Sequence, residues 1–217
     1  MKVGDIIEFL AFSLQEIPNV LITLVIAFTL HEFMHAWTAS IFGDNTAKNL
    51  GRVTLNPLKH LDVFGTLLIF IAGFGWAKPV PVNSAYFASR RWQSIIVAIA
   101  GPLSNFFLAF IGFTIWFFMP ASQSMDAFFN VFVSLNIVLG AFNLLPVPPL
   151  DGYRILYSLL PLKAQVKLSP LENYGFIIFL ILVVTPIGDY TIYPYIGNAI
   201  EVVITFFYTL YGLVGLM

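Results

Sequence analysis

Hydrophobic positions in this chain come in long unbroken blocks, without the one-faced rhythm of a soluble core. Residues 18–42, 92–119, 127–145, 174–185 with some residues before it, and 196–217 are each apolar enough to cross a bilayer as a helix. A further apolar stretch, 63–76, is interrupted by Gly65, Gly73 and Gly75 and reaches only about 20 Å even as a helix at roughly 1.5 Å per residue. It suits a re-entrant or buried piece better than a span. On either side of it, 52–57 and 78–83 are short, β-branched and proline-containing, the character of edge strands. Residues 1–16 lack the basic start and the cleavage site of a signal peptide and read as an amphipathic lead-in helix. The pattern predicts an all-α polytopic membrane protein with about five transmembrane helices. A re-entrant or strand-containing loop region lies between the first two, and residues 1–217 form a single integral-membrane domain.

Composition sharpens this picture. The chain is 59% hydrophobic and only 10% charged, with a formal charge of -1, so no electrostatic argument for nucleic acid exists. The few cations mark topology instead. Lys48, Arg52, Lys59, Lys78, Arg90 and Arg91 lie between the first two blocks, and Arg154, Lys163 and Lys167 between the third and fourth. Both loops are expected on the cytoplasmic side, whereas 120–126 and 188–194 carry no Lys or Arg and are expected outside. The N-terminus then lies outside and the C-terminus inside. A crossing by 63–76 would spoil this segregation of charge.

The candidate chemistry sits at membrane depth. His31-Glu32-Phe33-Met34-His35 falls inside the first block. Two histidines four apart on a helix present both imidazoles on one face, where they can bind one zinc ion, with the intervening glutamate placed to take a proton from the attacking water. A charged glutamate within a span costs at least about 2.5 kcal/mol on insertion scales, which argues against a purely structural Glu32. With no cysteine in the chain, further metal ligands must be His, Asp or Glu.

A hydrolytic zinc site needs three protein ligands and one open position. The best third candidate is Asp151, in 143–152, where Pro146, Pro148 and Pro149 break the end of the third block near the cytoplasmic boundary. His35 lies about 10 Å from the same end of its own helix at roughly 1.5 Å per residue. Glu172 and Glu201 compete for the role; the first lies among polar loop residues and the second near the outer end of the last block. His60 reads as a surface or interfacial histidine. Two small polar faces stand beside these groups: Gly101, Ser104 and Asn105 on the second block, and Asn136, Gly140 and Asn143 on the third. Either they seal close helix packing through interhelical hydrogen bonds, or they border the metal, with Asn143 reaching the substrate backbone.

Taken in order, the histidine motif, Gly101-Pro102-Leu103-Ser104-Asn105 and the proline-rich 143–152 resemble the site-2 proteases, zinc-dependent intramembrane metalloproteases. The segments 43–57 and 75–83 resemble the short bacterial branch of that family, and the likeness covers most of the chain. The resemblance implies His31, His35 and Asp151 as zinc ligands, Glu32 as the catalytic acid/base, and Asn143 and Pro149 beside the substrate. It implies Zn2+ as cofactor and the transmembrane segment of a membrane-anchored protein as substrate, cut in regulated intramembrane proteolysis. The expected location is the bacterial inner membrane, with the site toward the cytoplasm. Unlike longer members, the chain carries no PDZ insertion and no CBS-type module. Two rival readings remain: a membrane metal transporter, which predicts ionisable groups through the full bilayer thickness, and a protein that binds membrane helices without cutting them.

Overall fold

The computed structural model describes residues 13, 15–65, 68, 75–87, 91–120 and 122–213. Most of the expected lead-in helix and most of 63–76 lie outside the described residues. Helix α1 (Ile17–Ile41) is followed by the single turn α2 (Thr46–Asn49) and by short 3-10 turns at Pro57–Lys59 and Ser84–Phe87. Then come α3 (Arg91–Phe118), α4 (Gln123–Asn143), α5 (Asp151–Leu159), α6 (Leu162–Asn173), α7 (Gly175–Val184) and α8 (Ile187–Leu213).

Helices α1, α3, α4 and α8 are long and apolar enough to cross a membrane. The shortest of them, α4 with 21 residues, extends about 32 Å, matching a hydrocarbon core of about 30 Å. The expected span at 174–185 is only the ten-residue α7, about 15 Å long, which crosses nothing by itself. Together with α6 it is long and apolar enough, but the pair is bent by 68°. The fold is therefore all-α and polytopic with four candidate spans, or five if the bent pair counts as one.

Two further expectations change. The segment 188–194 is the start of α8, with Asp189 in its first turn and Pro194 inside it. A carboxylate favours a helix N-terminus, and Pro194 takes a hydrogen bond away only from the carbonyl of Tyr190, a residue near the helix start that is 84% exposed. Edge strands at 52–57 and 78–83 do not form: the only pairing among the described residues is an isolated antiparallel bridge, Leu61 to Ala77. Lys78 N–H donates to the His60 carbonyl beside it at 2.8 Å. Side-chain donors and acceptors take the backbone groups that a ladder would have used.

Helix α3 is the centre of the bundle, packed against α1, α4 and α5, while α8 covers α4. In lipid, helices gain little from burying apolar surface against each other, so small residues and interhelical hydrogen bonds hold them. Ala109, Val133, Ile137 and Ala141 pack with Ile192, Ile196, Ile200 and Phe207 in the main core. Asn105 Nδ2 donates to Asn136 Oδ1 at 3.2 Å and ties α3 to α4. Tyr195 Oη donates to the Ala141 carbonyl at 3.2 Å and ties α8 to α4. On α1 the buried positions Val20, Leu24, Ala27, Phe28, His31, Glu32, His35 and Ala39 recur at helical spacing and face the bundle. Leu21, Ile22, Ile26, Trp37 and Ile41 face outward.

Candidate metal centre

His31 and His35 stand one turn apart on the buried face of α1, directed at α3. Each ring is fixed through its Nδ1. The His31 Nδ1 donates to Asn105 Oδ1 at 2.6 Å, and the His35 Nδ1 donates to the Val97 carbonyl at 2.7 Å. A hydrogen on both Nδ1 atoms leaves each Nε2 with a free lone pair, the tautomer that metal ligation requires. The two Nε2 atoms lie 3.1 Å apart.

Asp151 completes the group. The prolines end α4, and α5 starts at Asp151, so the carboxylate enters from the first residue of a helix. Its Oδ2 lies 3.1 Å from each Nε2. All three side chains are buried. Two glycines make the approach possible. A Cβ on Gly101 would collide with both imidazoles, and one on Gly152 would strike the Leu144 and Leu145 carbonyls at the end of α4.

Three lone-pair atoms held this close repel one another unless a cation lies among them. A tetrahedral zinc with bonds of roughly 2.0–2.1 Å separates neighbouring ligand atoms by about 3.3 Å, so the observed triangle fits one face of such a site. Its fourth corner is free for a water or a substrate oxygen. The His, His, Asp donor set also suits zinc.

Glu32, next to His31 in the chain, is also buried, and its Oε2 accepts the Val80 N–H at 2.7 Å. That amide belongs to the extended segment 78–83, which lies over the site and is pinned along its length. Arg52 donates through Nη2 to the Lys78 carbonyl at 2.7 Å and through Nη1 to the Pro79 carbonyl at 3.3 Å. Asp44 Oδ2 accepts the Asn83 N–H at 2.8 Å. Val80 packs with Ala36 of α1 and Ala47 of α2. Burial lowers the pKa of both Arg52 and His60 below their ordinary values.

A cavity of about 410 Å³ reaches His35 from the side of α5 and α6. Its walls include Val97, Pro148, Pro149, Tyr153, Arg154, Ser158 and Glu172.

The structure thus brings together His31, His35 and Asp151, with Glu32 beside them, and puts Pro149 in the cavity wall. It does not bring Asn143 to the cluster: that side chain donates to Leu139 O on its own helix at 2.9 Å. Glu172 borders the cavity without joining the cluster, and Glu201 is exposed on α8. His60 is fully buried, not superficial, and its Nε2 donates to the Thr54 carbonyl at 2.7 Å. The role of Asn105 as partner of His31 was open from the sequence, although its place on the Gly101 face gave a signal. The Val80 amide and Arg52 carried none.

The sequence profile of peptidase family M50 matches residues 19–123 and 119–185. The chain is 48% identical over 209 residues to YwhC of Bacillus subtilis, covering 92% of this chain and 95% of that relative. It is 31% identical over 191 residues to Rip2 of Mycobacterium tuberculosis, covering 84% of this chain and 73% of the relative. An archaeal protein of Methanocaldococcus jannaschii, MJ0392, is 26% identical over 142 residues, which is 65% of this chain and 34% of the relative. All three names describe zinc metalloproteases. No solved structure matches the chain.

Proposed function

The chain belongs to peptidase family M50 and is a zinc metalloendopeptidase of the membrane; from the geometry of its buried cluster we propose how its residues divide the work. The observation that carries the reading is the triangle of His31 Nε2, His35 Nε2 and Asp151 Oδ2, with edges of 3.1 Å and a glutamate adjoining it in sequence.

His31, His35 and Asp151 hold the zinc. When bound, zinc acts as a Lewis acid toward a peptide carbonyl and makes water a competent nucleophile near neutral pH. Glu32 takes the proton of the attacking water and returns it to the leaving amine. Asn105 and the Val97 carbonyl keep the two imidazoles in the ligating tautomer. The cavity beside Pro149 admits water and the substrate chain to His35.

The substrate is the transmembrane segment of a membrane-anchored protein. Its helical peptide bonds are hydrogen-bonded and shielded, so it unwinds before cleavage. Residues 53–55 and 80–82 hold the unwound piece by strand addition, through the backbone groups that Arg52, Glu32 and Asp44 leave over, with Asn143 contributing after its side chain turns from Leu139. The bridge between Leu61 and Ala77 joins the two ends of the intervening segment, which supports a re-entrant path that returns to the same side. That side is cytoplasmic by the positive-inside rule, and it carries the site. The membrane is the bacterial inner membrane.

A transporter would spread ionisable groups along a path across the bilayer. Among the described residues the buried ones are His31, Glu32, His35, Asp44, Arg52, His60 and Asp151, which gather around the C-terminal half of α1 and the loop after it. That clustering favours hydrolysis at one depth.

The test is a panel of single-span membrane proteins incubated with the purified chain in detergent, with and without a chelator, and with the products mapped by mass spectrometry. A cut within a membrane segment, lost on chelation and restored by zinc, is expected. Cuts only in soluble loops, or cleavage indifferent to chelation, would overturn the reading.

A further inference from the structure

Arg52 is 7% exposed, and no carboxylate lies within ion-pair distance of it among the described residues. A guanidinium is costly to bury without an anion beside it, yet here its terminal nitrogens are spent on two consecutive carbonyls, Lys78 and Pro79. The next residue, Val80, sends its N–H to Glu32. Glu32 is also the anion whose field reaches Arg52. The same stretch is anchored at its start by Lys78 N–H on the His60 carbonyl and at its end by Asn83 N–H on Asp44. Those two contacts fix where the segment begins and ends. Among the described residues, only Arg52 holds the carbonyls immediately before the amide that meets Glu32.

We propose that Arg52 is a positioning residue for the hydrolytic reaction: by gripping the Lys78 and Pro79 carbonyls it sets the Val80 N–H against Glu32 Oε2 and fixes the carboxylate that exchanges protons with water and amine. The proposal rests on the role given to Glu32 above. One Glu32 oxygen is occupied by the amide, so the other is the oxygen presented to water. Without Arg52 the carboxylate loses its fixed donor and samples rotamers that point away from the cluster. A lysine supplies the charge but not the planar fork, and grips one carbonyl at a time.

Pro79 and Pro81 carry no N–H, so Val80 is the sole exchangeable amide of residues 79–81. Hydrogen exchange of the zinc-loaded full chain in detergent therefore reads this contact directly. Arg52→Ala and Glu32→Ala are each expected to speed exchange at Val80 about tenfold or more, the double variant to exchange no faster than Arg52→Ala, and Arg52→Lys to fall between. Zinc content stays at the wild-type level in all of them. Val80 exchange unchanged in Arg52→Ala, or multiplicative effects in the double variant, would overturn the proposal. On a substrate found with the panel, Arg52→Ala is expected to lower kcat at least tenfold, with any rise in KM coming from the part of the segment that receives the substrate; an effect confined to KM would overturn it too. Persistent cleavage by Glu32→Gln would instead remove the reading on which the proposal rests, whatever Val80 does.

Discussion

Asn105 Oδ1 accepts the His31 Nδ1–H at 2.6 Å, and Asn105 Nδ2 in turn donates to Asn136 Oδ1. A chain of hydrogen bonds thus runs from an imidazole of the candidate metal centre on α1, through α3, to α4. It orients the ring and also joins three helices where apolar contact contributes little. Asn105→Ala is expected to weaken zinc binding by about 10–100-fold, the usual cost of losing such an outer partner. Competition with a chelator of known affinity measures it; an unchanged affinity would show that the ring orients itself.

Gly101 lets α3 approach the imidazoles so closely that no side chain fits there. Gly101→Ala is expected to displace one or both histidines and abolish stoichiometric zinc binding while the protein still inserts in the membrane. Zinc analysis of the purified variant checks this, and full occupancy would mean that the helices separate to make room.

The histidine motif was legible because its groups are contiguous and their spacing matches the helical repeat. Asp151 was legible because three prolines within four residues, Pro146, Pro148 and Pro149, end a helix and so left a carboxylate at a break. Arg52 and Val80 were not, since a backbone amide leaves no trace in residue identity, and Arg52 looked like one loop cation among several. The start of α8 was misjudged for a related reason: Gly188, Asp189 and Pro194 have turn character, but an acidic first turn and an exposed Tyr190 make them compatible with a helix. The strand-like segments have strand composition, but Glu32, Arg52 and Asp44 take their hydrogen bonds.

His60 ties the loop after α1 to Thr54 and to Lys78. Burial, the largest influence on it, lowers its pKa, so the folded protein resists protonating this ring. In the unfolded chain it titrates near the ordinary value of about 6.5. Just below that pH the unfolded state holds more protons, so stability is full above about 6.5 and declines as pH falls through the folded value. Thermal unfolding of the zinc-saturated protein between about pH 7.5 and about pH 5 is expected to show this decline, with a flatter profile in His60→Gln. Identical profiles would remove His60 as its source.

The central claim is that Glu32 moves the protons of peptide hydrolysis beside a metal held by His31, His35 and Asp151. Glu32→Gln keeps the shape of the side chain and leaves His31, His35 and Asp151 in place, so zinc content and cleavage are best measured on the same preparation. About one zinc per chain is expected, with turnover of a membrane-segment substrate reduced by about 10²–10⁴-fold. Turnover within a few fold of wild type at full zinc occupancy would contradict the account.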